Sequence, residues 1–252
     1  MTKVSVARPG APSPDALELT LEALRSEIDG IDDELLSLIQ QRQRLAGRVG
    51  LLKTVRTSAL KIRPDREAAV ISRRLARAAP EQRRMAAAIW RELMSAGLAA
   101  QGRMTVSVWS GPRADVRELA RVRFGASADF VNAANPEAAL AAAREKDTIA
   151  VLALDPQSDW WARLPECDDL WVIEGLARRS PLDPVALAVG GVDPGCLARG
   201  VMYRVSQGGG SGLDGAPERV LAASHGQRLC VSEDMGGPLD RRAGVIGTAA
   251  PF

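Results

Sequence analysis

The 252 residues carry 46% hydrophobic side chains, enough apolar surface for one large or two ordinary domains. Lysine and arginine number 33 against 31 aspartates and glutamates, so a net charge of +2 excludes binding to nucleic acid or anionic membrane by bulk charge. One histidine, His225, and three scattered cysteines, Cys167, Cys196 and Cys230, exclude His/Cys zinc clusters and a disulfide framework.

Residues 1 to about 16 hold three prolines and little apolar content, and read as a flexible tail. With no apolar run of signal-peptide length and no stretch of about 18 apolar residues, the chain is expected in the cytoplasm. From Ala16 onward apolar side chains recur at Leu21, Leu24, Ile28, Ile31, Leu35, Leu38, Leu45, Val49 and Leu52. This 3-4 alternation predicts one long helix of roughly 50 Å at about 1.5 Å per residue. A narrow stripe of that length needs an equally long partner, most economically its own copy in a symmetric dimer. Pro64, with Asp65 and Glu67 beside it, opens a second helix over about 64–78. Pro80 opens a third over about 80–101, with Met85, Ile89, Trp90, Leu93, Met94, Gly97 and Leu98 on one broad face, and Gly102 stops it.

From Met104 the pattern changes. Short β-rich runs at Thr105–Trp109, Thr148–Leu154, Leu170–Glu174, Val201–Val205 and Arg228–Val231 alternate with helical segments at Arg113–Arg123, Pro136–Lys146 and Ala216–His225. The fold class is therefore two-domain: an all-α three-helix unit at 17–102, after the tail at 1–16, followed by an α/β unit at 103–252. The junction falls at Gln101-Gly102-Arg103.

One position of the helix-1 stripe is polar. Arg42 stands between Leu38 and Leu45, and burying an unpaired guanidinium is costly, so it must snorkel, meet a carboxylate or face an anionic ligand. Lys53 lies eleven residues on, almost on the same face at 100° per residue, and the acids Asp29, Asp32, Asp33 and Glu34 cluster elsewhere. Arg25 lies seventeen residues before Arg42, about 25 Å away, too far for one small ligand within one chain. An antiparallel two-fold partner would bring Arg25 of one subunit beside Arg42 and Lys53 of the other. The start of helix 2 adds Arg66 and Glu67, which otherwise read as a capping and surface cluster. The Trp90, Met94, Gly97, Gln101 stripe of helix 3 ends in a neutral amide donor. Such a set of cations, one carboxylate and one amide suits a small ligand with two carboxylates and a hydroxyl.

Residues 17–102 closely resemble the all-helical chorismate mutase family. The motif residues are Leu24-Arg25, Ile31-Asp32, Leu35-Leu36, the run Arg42, Leu45-Ala46, Val49-Gly50, Lys53, then Pro64-Asp65-Arg66-Glu67, Ile89-Trp90 and Gln101. The resemblance implies a homodimer with shared sites that rearranges chorismate to prephenate in shikimate-pathway synthesis of phenylalanine and tyrosine, with no cofactor and no metal. It assigns Arg25 to a substrate carboxylate across the dimer, Arg42 to a carboxylate in its own site and Arg66 to the charged wall. Lys53 and Gln101 would donate to the ether oxygen, and Glu67 would accept from the ring hydroxyl. Two positions depart from the family pattern: Arg63 where many members carry an acid, and Gly97 where a serine often helps hold a carboxylate. The same fold hosts isochorismate pyruvate lyases, the enzymatic alternative; a metabolite-sensing regulatory protein without catalysis is the other.

The later half faintly resembles one lobe of prephenate dehydratase through Thr105–Trp109, Glu118-Leu119-Ala120, Phe124-Gly125, Pro136–Ala139 and Ile149–Leu152. It lacks that family's catalytic Thr-Arg-Phe segment, so a degenerate or regulatory domain is expected, with an aromatic amino acid as its candidate effector. The strand, glycine loop, helix and strand over about 200–232 read as a remnant of an ACT-type module. Gly210–Gly215 fits GxGxxG literally but reads as a flexible loop. His225 reads as a helix-end residue, and Trp160 and Trp161 as an anchor packing a short helix on the sheet.

Overall fold

The structure, a computed structural model, describes residues 14–54, 61–113, 115–177, 180–207 and 217–251. Of the tail expected at 1–16, residues 1–13 lie outside the described residues, as does the glycine-rich Gly210–Gly215 run, while residues 14–16 are helical. Two compact units are present, residues 1–44 and residues 45–252. Helix α1 runs without interruption over Pro14–Thr54, as the 3-4 stripe predicts. The apolar stripe from Leu21 to Leu52 is exposed, Ile31 at 57% and Leu38 at 61%. No helix among the described residues is long and apolar enough to cross a membrane.

In the second unit α2, Pro64–Leu75, starts with proline in its first turn and carries Asp65 and Glu67 at the positive end of its dipole. It ends three residues earlier than the sequence pattern suggests. A 3-10 turn at Pro80–Gln82 leads into α3, Arg83–Ala99, so the third predicted helix is a turn followed by a helix. The compositional junction at Gln101-Gly102-Arg103 lies between α3 and the first strand, inside this unit.

Nine strands among the described residues form one mixed sheet: β1 Thr105–Trp109, β2 Asp129–Asn132, β3 Thr148–Ala153, β4 Trp171–Ala177, β5 Pro184–Gly190, β6 Val201–Gln207, β7 Arg219–Ser224, β8 Gln227–Glu233 and β9 Val245–Ala249. Their order is β2-β1-β3-β5-β4-β9-β6-β8-β7. The parallel pairs β1–β2 and β1–β3 are joined through helices α4, Val116–Phe124, and α5, Pro136–Ala142, as parallel neighbours require a crossover. The remaining half is built mainly from antiparallel pairs. Asn135 caps α5 by accepting from the Ala138 N–H at 2.8 Å.

Period-two alternation splits the core in two. Ile149, Val151 and Ala153 join Val106, Val108 and the α4 residues Val116, Ala120 and Phe124. Ala150, Leu152 and Leu154 join Leu187, Tyr203, Leu229, Trp160 and Trp161. Both tryptophans are buried in a 3-10 segment, Trp160–Glu166, and Trp160 Nε1 donates to the Ala153 carbonyl at 2.9 Å, in keeping with an anchoring role. Ile62 lies in the first of these clusters with Leu98 packed against it, so residues flanking α2 and α3 share a core with the sheet.

The predicted helix at Ala216–His225 is overturned. Residues Arg219–Ser224 form β7, and Ser224 pairs with Gln227 across a two-residue turn, His225 (φ 47°) and Gly226 (φ 77°). Two positive φ values are the type I′ pattern that matches strand twist, and they outweigh the helix propensity of Glu218, Leu221, Ala222 and Ala223. The described residues of 200–232 therefore form three antiparallel strands, with β7 where the helix was expected, and His225 is a hairpin-turn residue. In a helix Gly226→Ala would stabilise by about 1 kcal/mol. In this turn, where nothing lies within 4 Å of an added Cβ, the left-handed backbone alone should make it destabilising by about 1–2 kcal/mol. The sign of the shift in urea midpoint decides between them.

Candidate active site

Gly50 and Gln101 meet. A Cβ at Gly50 of α1 would fall 2.5 Å from Cγ and 2.9 Å from Cβ of Gln101, so only glycine lets the end of α3 approach this close. Gln101 follows the last residues of α3, and its Nε2 donates to the Gly97 carbonyl at 2.9 Å, leaving its second N–H for another acceptor. Its Oε1 is buried with no hydrogen-bond partner among the described residues. Gly97 is itself buried in α3, and Lys53 stands one helical turn beyond Gly50 in α1. The two residues expected to donate to one ether oxygen thus belong to backbones in contact, although the Lys53 side chain lies outside the described residues.

The other cations differ in setting. Arg25 is exposed on α1, donating to Glu22 at 2.7 Å with Glu18 at 4.0 Å. Arg42 is half-buried, and burial pulls its guanidinium below the usual arginine range. Arg66 is exposed. Arg63 precedes α2 and donates to both Asp65 oxygens, at 2.9 and 2.6 Å. That bidentate bond holds the Asp65 carboxyl below its ordinary range and Arg63 above its own.

Glu67 is buried at 8% exposure and faces the sheet side of the unit. Its Oε2 accepts from Arg123 Nη2 at 3.0 Å, while Arg123 Nε donates to Glu174 Oε2 of β4 at 2.6 Å. Burial pushes the Glu67 carboxyl above the ordinary glutamate range, with Arg123 opposing. Arg123 is held above the usual arginine range by its two carboxylates, against the effect of burial. Arg91 of α3 is close enough to feel the same charges, and burial lowers it. A cavity of about 350 Å³ borders this cluster, lined by Arg91, Leu119, Val122, Arg123, Glu174 and Leu176 among others. Arg123, Arg91 and Glu174 were not among the residues singled out in the sequence. The signal available was Glu174 itself, a carboxylate inside the apolar run Trp171–Leu176, which demands a buried cation from elsewhere.

The Gly50 contact has a measurable consequence. Helix propensity alone favours Gly50→Ala by about 1 kcal/mol, whereas overpacking costs about 1–3 kcal/mol. A lowered thermal midpoint is expected, with part of the loss recovered when Gln101→Ala removes the Cγ. Simple additivity of the two changes would contradict the contact.

The model of the family described as chorismate mutase type II matches residues 24–102. No curated protein and no solved structure matches the chain. The match spans most of α1, all of α2 and α3, and the Gly50–Gln101 contact, and it ends before β1. Residues 24–102 are a chorismate mutase type II domain.

Proposed function

We propose that the chain converts chorismate to prephenate in the synthesis of phenylalanine and tyrosine, as a cytoplasmic homodimer whose active sites are shared between helical domains of about residues 17–102. The observation that carries this reading is the family match over residues 24–102. The dimer is supported by the exposed stripe of α1, in which Leu24, Ile28, Ile31, Leu35, Leu38, Leu45 and Val49 have more solvent contact than an isolated amphipathic helix tolerates.

The reaction is a unimolecular rearrangement in which one C–O bond breaks as one C–C bond forms, so no nucleophile, base or electron carrier takes part. Catalysis comes from holding the compact substrate conformer and from donors aimed at the negative charge that grows on the ether oxygen. In this reading Arg25 of the partner subunit, Arg42 and Arg66 hold the carboxylates. Lys53 supplies the charge at the ether oxygen, Gln101 a neutral N–H beside it, and Glu67 accepts from the ring hydroxyl. Arg63 and Gly97 mark where the carboxylate contacts differ from the family pattern. The Arg63–Asp65 pair turns that guanidinium toward its own helix start.

The test is the disappearance of chorismate absorbance with the purified full chain, the product being identified as prephenate by acid conversion to phenylpyruvate. Isochorismate run in parallel separates this from a pyruvate lyase; release of pyruvate there, with no prephenate, would replace the reading. Lys53→Ala should lower kcat by at least about 100-fold with the oligomer intact. Because Gln101 does not ionise, kcat should stay level up to about pH 9, while the raised Glu67 carboxyl places the acid limb above the ordinary glutamate value of about 4.3. Loss of rate on the alkaline side near neutrality would contradict these assignments.

A further inference from the structure

Arg123 lies in the last turn of α4, and its partners come from two other elements: Glu67 of α2, 56 residues before it, and Glu174 of β4, 51 residues after. All three side chains are nearly closed to solvent, at 13%, 11% and 10% exposure. The guanidinium donates from Nε to one carboxylate and from Nη2 to the other, so both are fixed by one rigid planar group. Rotating Glu67 away would leave a buried cation half-satisfied, and the pair therefore sets where the Glu67 carboxylate sits.

We propose that Arg123 is a positioning residue for the mutase reaction: by holding Glu67 Oε2, it fixes and keeps ionised the carboxylate that accepts the substrate's ring hydroxyl, so that the sheet-bearing part of the chain completes a site otherwise made of helices. This rests on the mutase reading of Glu67. A carboxylate offers about four lone-pair positions. One is occupied by Arg123 Nη2 and others can accept a hydroxyl, so being held and accepting from substrate are compatible.

The charged groups that face Glu67 are Arg123 from α4, Arg91 from α3 and Glu174 from β4. Burial and Glu174 favour its protonated form; Arg123 and Arg91 favour the carboxylate. Without Arg123, two buried carboxylates share the single remaining cation, the condition in which a glutamate retains its proton to neutral pH or beyond. A protonated Glu67 would donate to the substrate hydroxyl where it should accept. A purely structural role for Arg123 would lower the amount of folded enzyme without giving it a new titration.

The experiment measures kcat and KM of the full-length protein with chorismate from pH 5 to 9, for the wild type, Arg123→Met, Arg123→Lys and Glu174→Gln. In Arg123→Met, kcat at pH 6 should be about tenfold or more below its own value at pH 9, with KM changing far less. Arg123→Lys keeps a cation and should keep the wild-type profile shape. Glu174→Gln removes the like charge and leaves Arg123 to Glu67 alone, so its acid limb should move to lower pH. An Arg123→Met enzyme with wild-type kcat and profile overturns the proposal. If that variant fails to fold by circular dichroism, an unmoved acid limb in Glu174→Gln overturns it instead. A wild type that does not turn over chorismate defeats the mutase reading and this proposal together, whereas active wild type with indifferent variants defeats the proposal alone.

Discussion

A buried guanidinium between two buried carboxylates is the constraint on which the second unit turns. Arg123, Glu67 and Glu174 come from a helix end, a helix start and a strand interior. Removing one partner of such a group costs about 3–5 kcal/mol because a charge is left without its counter-charge. The three elements are consequently held in one arrangement. A backbone device reinforces it two residues after Arg123. Gly125, at φ 76°, turns the chain where a Cβ would strike Ser95 of α3, and the next N–H, of Ala126, donates to Glu92 at 3.0 Å. Close approach and ion pairing thus tie α2 and α3 to α4 at neighbouring positions.

Helix α1 makes the opposite kind of demand. Its stripe from Leu21 to Leu52 is apolar by sequence and exposed in the described chain. At about 25 cal/mol per Å² of apolar surface, such a row represents several kcal/mol that only an equally long apolar partner can recover. The sheet is supplied from within by its two cores and by salt links such as Lys61–Asp147 at 3.0 Å. The longest exposed apolar row among the described residues lies on α1, the helix that also carries Arg25, Arg42 and Lys53. Assembly and substrate binding, on the proposed reaction, would draw on the same element.

What could be read from the sequence followed from periodicity. The 3-4 repeat of α1, the proline starts of α2 and of the turn before α3, and the β-branched runs of β1 and β3 each point to one structure, and each is present. The β7 segment misled because Arg-Val-Leu-Ala-Ala-Ser has the composition of a helix. Its pairing with β8 was written only in the His225-Gly226 step that follows. The β5 run, Pro-Val-Ala-Leu-Ala-Val-Gly, is apolar throughout and fits a buried strand or a buried helix turn equally well by pattern. At the site, residue types were legible, but pairings between residues fifty or more positions apart were not. Gly50 stands in the sequence only as a motif glycine, and nothing near it there points to Gln101; the Arg66-Glu67 step likewise carries no sign of Arg123.

A rearrangement that moves no proton and no electron to the protein relies on fixed charge more than on reactive groups. Donors that must reorient during the reaction contribute little, because the reorganisation cancels much of what the interaction gives. The neutral amide of Gln101 is braced by its bond to Gly97 and by the Gly50 backbone, so its remaining N–H has a set direction. The carboxylate of Glu67 is braced by a guanidinium that is itself locked by Glu174. Both groups are thus restrained by contacts outside the proposed substrate set, one through helix packing and one through the sheet. A three-helix domain alone offers the first kind of restraint; the second requires the strand and helix that follow it, which on the proposed roles would connect residues beyond 102 to the chemistry.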